Sequence, residues 1–375
     1  MELLISGLVG GLIGLLLGVI FEDALVGIRD RFLTRTRLLF RKPLPFPIPF
    51  SFALGPIETS LIVVDGDGET SYARESILCH YDATPIKLPP ELEEHKSEVA
   101  AQQEMRKRTG DFYQWPGLTA ALSRYRRGRS NDEEGLELQL WFRQSDWFAY
   151  LATNLSLDST FVLEGDTDRR MSLREKYFRH YSWSNPNLQP AEYFSNTFGT
   201  VVSLITGDGH LLISKRADEI GSLPSIYNVA INETLTPTKD WSEQGTSLDL
   251  YKTVVRGAYE ELNLQLKPSD ITFLVFAVDS RYNMWGILGI ARTEKTVREV
   301  VDLRRRGAKD KWEGQEILPV KFGIAPVVEF VSAHAPWSSG SIACTYFTLV
   351  HEFGKPTVDR VVAKHSFPLG SYVSI

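Results

Sequence analysis

The chain of 375 residues carries 41 basic and 47 acidic side chains, a formal net charge of −6, with 43% hydrophobic and 23% charged residues. These are the proportions of a globular protein with room for more than one domain, and the acidic balance argues against a generic nucleic-acid coat, so no DNA partner is expected. Two cysteines, Cys79 and Cys344, stand far apart; they fit a reducing compartment and supply neither a disulfide framework nor, with the histidines, a zinc-ligand spacing.

The run from Leu3 to Phe21 is uncharged and apolar, and at the helical rise it reaches roughly 28 Å, close to the thickness of a hydrocarbon core. Glu2 stands where a signal peptide has a basic residue, and no small-x-small cleavage site follows, so a retained transmembrane helix within residues 1–28 is expected. Arg29, Arg31, Arg35, Arg37, Arg41 and Lys42 crowd its C-terminal flank. The positive-inside rule then gives a single-pass, N-out topology with the soluble part cytoplasmic and the lipid bilayer as a partner. Gly7, Gly10, Gly11, Gly14 and Gly18 form a four-residue-spaced stripe suited to helix–helix association, and a homo-oligomer through this helix is expected.

Residues 29–50 read as a basic juxtamembrane segment and a spacer, because the alternating prolines Pro43, Pro45, Pro47 and Pro49 favour an extended chain. Residues 51–190 read as a mixed α/β region, with strands at Ser60–Asp65 and Gly135–Phe142 and helices at Glu98–Arg108 and Ser145–Leu155. Between them, Arg124, Arg126, Arg127 and Arg129 are expected in a short basic loop, either a site for phosphates or an anionic leaflet, or a solvated turn. Arg304, Arg305 and Arg306 are expected on the exposed face of a helix. The polar, proline-bearing segment Ser182–Glu192 marks the boundary to a second unit at 191–375.

In that unit Val201–Thr206 and His210–Arg216 flank Gly207-Asp208-Gly209, a hairpin signature. Val254–Leu264 then reads as a helix on which Arg256, Glu260 and Glu261 fall on nearly one face, an arrangement suited to an arginine that positions carboxylates and to carboxylates that hold a hard cation such as Mg²⁺. The same spacing is common in surface ion pairs. A strand follows at Ile271–Val278, and Cys344–Glu352 is expected to be another.

The combination of this hairpin, the loop Tyr227–Leu235 and the Arg-x-x-x-Glu-Glu helix resembles the Nudix hydrolase family over roughly residues 198–354. The resemblance implies an α/β (α+β) fold class, a Nudix-like α/β/α sandwich following the single transmembrane helix and the mixed α/β region. Arg256, Ala258, Glu260, Glu261 and Leu264 match the family's box. Ser242, Leu248, Gly257 and Asn263 depart from it, standing for glycine, glutamate, glutamate and glycine respectively. Gly257 can neither accept a proton nor ligate a cation through a side chain, so no confident catalytic residue is assigned. Asn263 is the mild change, since Asn tolerates left-handed backbone.

No cofactor is therefore required, although Glu260 and Glu261 remain possible Mg²⁺ ligands. The resemblance further implies a pocket for a nucleotide ligand: Lys215, Arg216 and Arg281 toward phosphates, Glu233 from the preceding loop, and Trp285 or Tyr282 against a base. For Trp285 a place in the core is the competing reading, and for Lys215 and Arg216 a solvated strand end. An apolar anchor joined to a degenerate Nudix-like unit is similar to the TM-Nudix effectors of bacterial CBASS antiviral signalling. That similarity implies an antiviral effector that binds a cyclic nucleotide, oligomerises and disrupts the inner membrane. The alternative is a membrane-tethered hydrolase of nucleoside diphosphate derivatives using Mg²⁺.

Overall fold

The computed structural model describes residues 51–365 except Pro56, 130–134, 164–165, 217–224 and 310–313. No helix among the described residues is long and apolar enough to cross a membrane. The expected spanning helix Leu3–Phe21 and its glycine stripe lie outside the described residues. The transmembrane element of the fold class and the single-pass inner-membrane placement are accordingly corrected: no described helix carries them.

The described residues fall within one compact unit, Ile48–Ile375. In chain order its elements are β1 (Ala53–Leu54), β2 (Ile57–Glu58), β3 (Leu61–Asp65), β4 (Tyr72–Pro85), α1 (Pro90–Thr109), β5 (Leu118–Arg129), β6 (Leu136–Asp146) and α2 (Trp147–Ala152). Then follow β7 (Thr160–Leu163), β8 (Asp166–Ser172), α3 (Leu173–Tyr177), β9 (Phe198–Ile205), β10 (His210–Arg216), β11 (Tyr227–Val229), β12 (Ile231–Thr234) and α4 (Leu250–Leu262). The chain closes with β13 (Ile271–Asp279), β14 (Met284–Arg292), α5 (Val297–Gly307), β15 (Gly314–Lys321), α6 (Ile324–Ala333), α7 (Ser339–Phe353) and α8 (Lys355–Lys364).

A mixed sheet runs β11-β10-β9-β14-β13-β4-β6-β5, with β12 on β9, β15 on β10 and β3 on β13. Strands from either side of residue 190 thus share hydrogen bonds in one sheet. Its centre is buried on both faces, and the period-two alternation of strands sorts the side chains. Phe198, Val202 and Leu204 of β9 and Trp285 and Ile287 of β14 join Val254, Ala258 and Leu262 of α4 in one core. Val201 and Ile205 of β9 and Leu288 and Ile290 of β14 turn the other way, onto Ile342, Ala343 and Val350 of α7. Helix α4 therefore covers one face and α7 the other, a sandwich around β9 and β14, which run parallel.

Several local expectations change. Cys344–Glu352 lies in α7, not in a strand: Ser338 caps the helix by accepting from the Ser341 N–H, and every residue from Ser341 to Val350 is buried. A helix apolar all round leaves no periodicity by which to tell it from a buried strand. The expected arginine loop is the second half of β5, paired with β6 from Leu118↔Asp146 to Arg129↔Leu136. Only part of it faces water. Arg129 bridges Asp65 at 2.9 Å, and Arg127 donates to the carbonyls of Val64 and Pro186. Residues 227–235 form β11 and β12, strands of three and four residues too short to announce themselves.

The hairpin turn is as expected: Gly209 sits at φ 76, the left-handed region open to glycine, and its N–H reaches the Thr206 carbonyl at 3.0 Å. Arg174, buried to 6% exposure, forks onto Asp158 at 2.6 and 3.0 Å and donates to the Ser280 and Arg281 carbonyls. That contact ties the 158–174 segment to the β13–β14 turn.

Candidate functional site

Helix α4 starts where Asp249 accepts from the Tyr251 N–H and ends at Asn263, which adopts φ 53 and ψ 30, the left-handed cap that an asparagine tolerates in place of glycine. Leu250, Val254, Ala258 and Leu262 are its buried stripe, and the i, i+4 pair Arg256 and Glu260 lies beside that stripe.

Arg256 is 13% accessible and is surrounded by carboxylates. Its Nε and Nη2 fork onto Asp240 at 2.8 Å each. Its Nη1 meets Glu260 at 3.0 Å and Glu233 at 2.9 Å, and Nη2 also donates to the Thr234 carbonyl. Lys239 bridges the far side of Glu260 at 2.8 Å. Asp240, fully buried, further accepts from the Thr236 N–H at 2.9 Å. Asp240 and Lys239 are the members of this cage that the sequence reasoning missed; they precede the matched box, and only the fold brings them to Arg256.

The cage acts on the titration of Glu260 and Glu233. Burial pushes Glu260 up, but Lys239 and Arg256 together outweigh this and hold it below the usual carboxylate range. Glu233 is one of three acids sharing a single guanidinium. Burial pushes it up to about 7 against the pull of Arg256, so it is the acid most ready to take the excess proton, while Arg256 stays charged. Gly257 makes this possible. A Cβ on it would stand 3.0 Å from the Glu233 Cβ and 3.2 Å from its Cγ, so the glycine is the seat over which Glu233 crosses the helix to reach Arg256.

This donor set does not fit a Mg²⁺ centre. A hard cation needs several oxygens free of other positive charge, whereas Glu233, Asp240 and Glu260 are all engaged by Arg256 and Lys239. Leu248, where the family has a glutamate, is 3% exposed in the core, and the Glu261 carboxylate faces the Asn232 N–H at 3.4 Å. Among the described residues no cluster of three or more His, Cys, Asp or Glu is arranged to hold a metal.

On the α7 face a small cleft of about 80 Å³ is lined by Arg216, Asn228, Asn232, Asp279, Tyr282 and Ser339, among others. Burial pushes Asp279 above the usual carboxylate range, against the Ser60 hydroxyl at 2.7 Å and the Arg281 N–H at 3.0 Å. The expected binding residues are distributed rather than gathered. Arg216 reaches this cleft. Trp285 touches it but is fully buried, its Nε1–H on the Asn283 side chain at 3.2 Å and its ring 5.5 Å from those of Phe276 and Tyr125; this is the core reading. Lys215 lies 5.7 Å over the Tyr227 ring and Arg281 5.4 Å over Tyr282. Glu233 belongs to the cage.

No family model matches the sequence, and no curated protein matches it. Among solved structures it is similar to a MutT protein from Methanosarcina mazei Go1, at 12% identity and TM-score 0.28 over 44% of this chain and 93% of that one. A NUDIX hydrolase from Alicyclobacillus acidocaldarius gives 12% and 0.27 over 46% and 97%. A MutT/nudix family protein from Enterococcus faecalis gives 13% and 0.29 over 51% and 75%. At these values the likenesses decide nothing about activity. What the molecule itself shows is the β9–β10 hairpin, helix α4 and the parallel β9–β14 pair sandwiched between α4 and α7.

Proposed function

We propose that this chain is a non-hydrolytic, nucleotide-binding Nudix-like protein, a sensor of a cyclic nucleotide messenger of the kind used in CBASS antiviral signalling. The observation that carries the non-hydrolytic part is the carboxylate cage: of the two acids left in the box, Glu260 spends its charge on Arg256 and Lys239, and Asp240 and Glu233 from outside the box close on the same arginine. Two family positions are filled by Leu248 and Gly257, the second of which seats Glu233 in that same cage. A site so neutralised keeps the scaffold of the box and loses its chemistry, which suits a protein that must bind without consuming its ligand. The nucleotide part rests on the family resemblance of the sequence.

The test is a titration of the full chain with cyclic di- and trinucleotides, and with linear nucleoside diphosphates plus Mg²⁺. Heat of binding and released phosphate are read in the same samples. Binding of a cyclic species without turnover supports the proposal. Mg²⁺-dependent cleavage of a linear diphosphate that disappears in Glu261→Gln overturns it in favour of a hydrolase.

A further inference from the structure

The outward face of β4, β6 and β5 carries a second and larger cavity of about 740 Å³, walled on its far side by the segment Pro190–Phe194. That volume lies in the range, roughly 300–1,000 Å³, of clefts that enclose small ligands. The sheet register builds its floor. His80 pairs with Trp141, and Trp141 with Arg124, in one cross-strand row. The alternate residues Cys79, Leu140 and Tyr125 point into the core.

Within the row the His80 and Trp141 rings stack at 4.9 Å and 16°, and the Arg124 guanidinium lies 4.3 Å over the indole. Stacking on an indole holds the guanidinium plane in place while leaving its N–H edge available. No carboxylate bridges Arg124, Arg143 or Lys87 among the described residues, and all three line the cavity. The acids there are Asp82 and Glu192; Asp82 accepts from the Thr84 N–H at 2.9 Å and also feels the charge of its cross-strand neighbour Arg143. Tyr193, 45% exposed, lines the opposite wall from a backbone held at φ 67, a conformation uncommon for a bulky side chain.

We infer that this groove is a binding site for a nucleotide, with its phosphate on Arg124, Arg143 and Lys87 and its base against the exposed aromatic surfaces of Tyr193 and His80. A guanidinium held on an indole, with Arg143 and Lys87 beside it and only two acids in the lining, calls for an anion, and aromatic faces around a cavity of this size call for a planar group on the same ligand. The nucleotide is either free or part of a single strand. The inference does not depend on the Nudix-like cleft or on whether that site hydrolyses anything.

The experiment titrates the full chain with adenosine monophosphate, a single-stranded oligoadenylate, adenosine, inorganic phosphate and polyglutamate. The proteins are wild type, Arg124→Ala/Arg143→Ala, Arg124→Lys, Tyr193→Ala and, as a charge control on an exposed helix, Arg305→Ala. Expected is binding of the monophosphate or the oligonucleotide, tighter than adenosine or phosphate alone. It should weaken about tenfold or more in the double variant, as loss of charge-assisted bonds implies, less in Arg124→Lys, and not at all in Arg305→Ala. Preference for the free nucleotide or for the strand identifies the source. Absence of binding by both overturns the inference. So do polyglutamate or bare phosphate binding as well as the nucleotide, and affinity that survives in both Arg124→Lys and the double variant.

Discussion

Replacing Arg256 with methionine keeps most of the side-chain volume and removes the charge on which three acids converge. Asp240 is fully buried, while Glu260 and Glu233 are 12% and 20% accessible. Lys239 still serves Glu260, but Asp240 retains only the Thr236 N–H. Removing one partner of a buried ion pair typically costs about 3–5 kcal/mol, because the remaining charge is left uncompensated. For a unit of this size that lowers the melting temperature by roughly 4–7 °C.

The cost carries a sign in pH. Without Arg256 the pull that opposes burial at Glu233 is gone, so its folded-state pKa rises further above the unfolded value and the folded state holds a proton that the unfolded state releases. Stability then falls as pH rises above the ordinary carboxylate range. The variant should approach wild type near pH 4 and show the full deficit at pH 8. Urea denaturation at both values measures it. A loss below about 1 kcal/mol at pH 8, or one independent of pH, would refute the cage as the organiser of this site.

Other outcomes follow from the same geometry. In wild type Glu233 is raised from 4.5 to about 7, so its contribution makes stability decline between those values, and Glu233→Gln should remove that decline. The gain at pH 8 should be about 3 kcal/mol at most, and a Glu233→Gln stability profile still falling across that window would count against it. Gly257→Glu restores the family residue but drives a Cβ against Glu233. It should cost about 1–3 kcal/mol in denaturation and produce no Mg²⁺-dependent phosphate release; release at rates well above wild type would contradict the reading of the box. Asn263→Gly should be nearly neutral, while Asn263→Val, forced to φ 53, should lose about 1–2 kcal/mol, both checked by thermal melting.

Much of the chain after residue 196 was legible because its signals are local. Gly207-Asp208-Gly209 specifies a turn between two apolar runs, the 3.6-residue stripe of Leu250, Val254, Ala258 and Leu262 specifies a helix, and Asn263 marks its left-handed end. What the chain could not announce was anything set by distant partners. Helix α7 is buried on every side from Ser341 to Val350, so that stretch shows no polar face and reads equally as a buried strand. The four arginines of β5 read as one basic run, and only pairing with β6 sets Arg124 in the open groove while Arg127 and Arg129 reach Val64, Pro186 and Asp65.

By itself, then, the sequence determined the hairpin, helix α4 and its left-handed cap, since each depends on residues a few positions apart. Only the tertiary structure decided that Trp285 is core and that Glu233, Asp240 and Lys239 join Arg256 and Glu260 in one neutralised cluster. It also decided that Trp141 holds Arg124 and His80 beside a cavity. In each case the deciding contacts join residues brought together by strand register and by a helix laid across a sheet, and neither is written in the spacing along the chain.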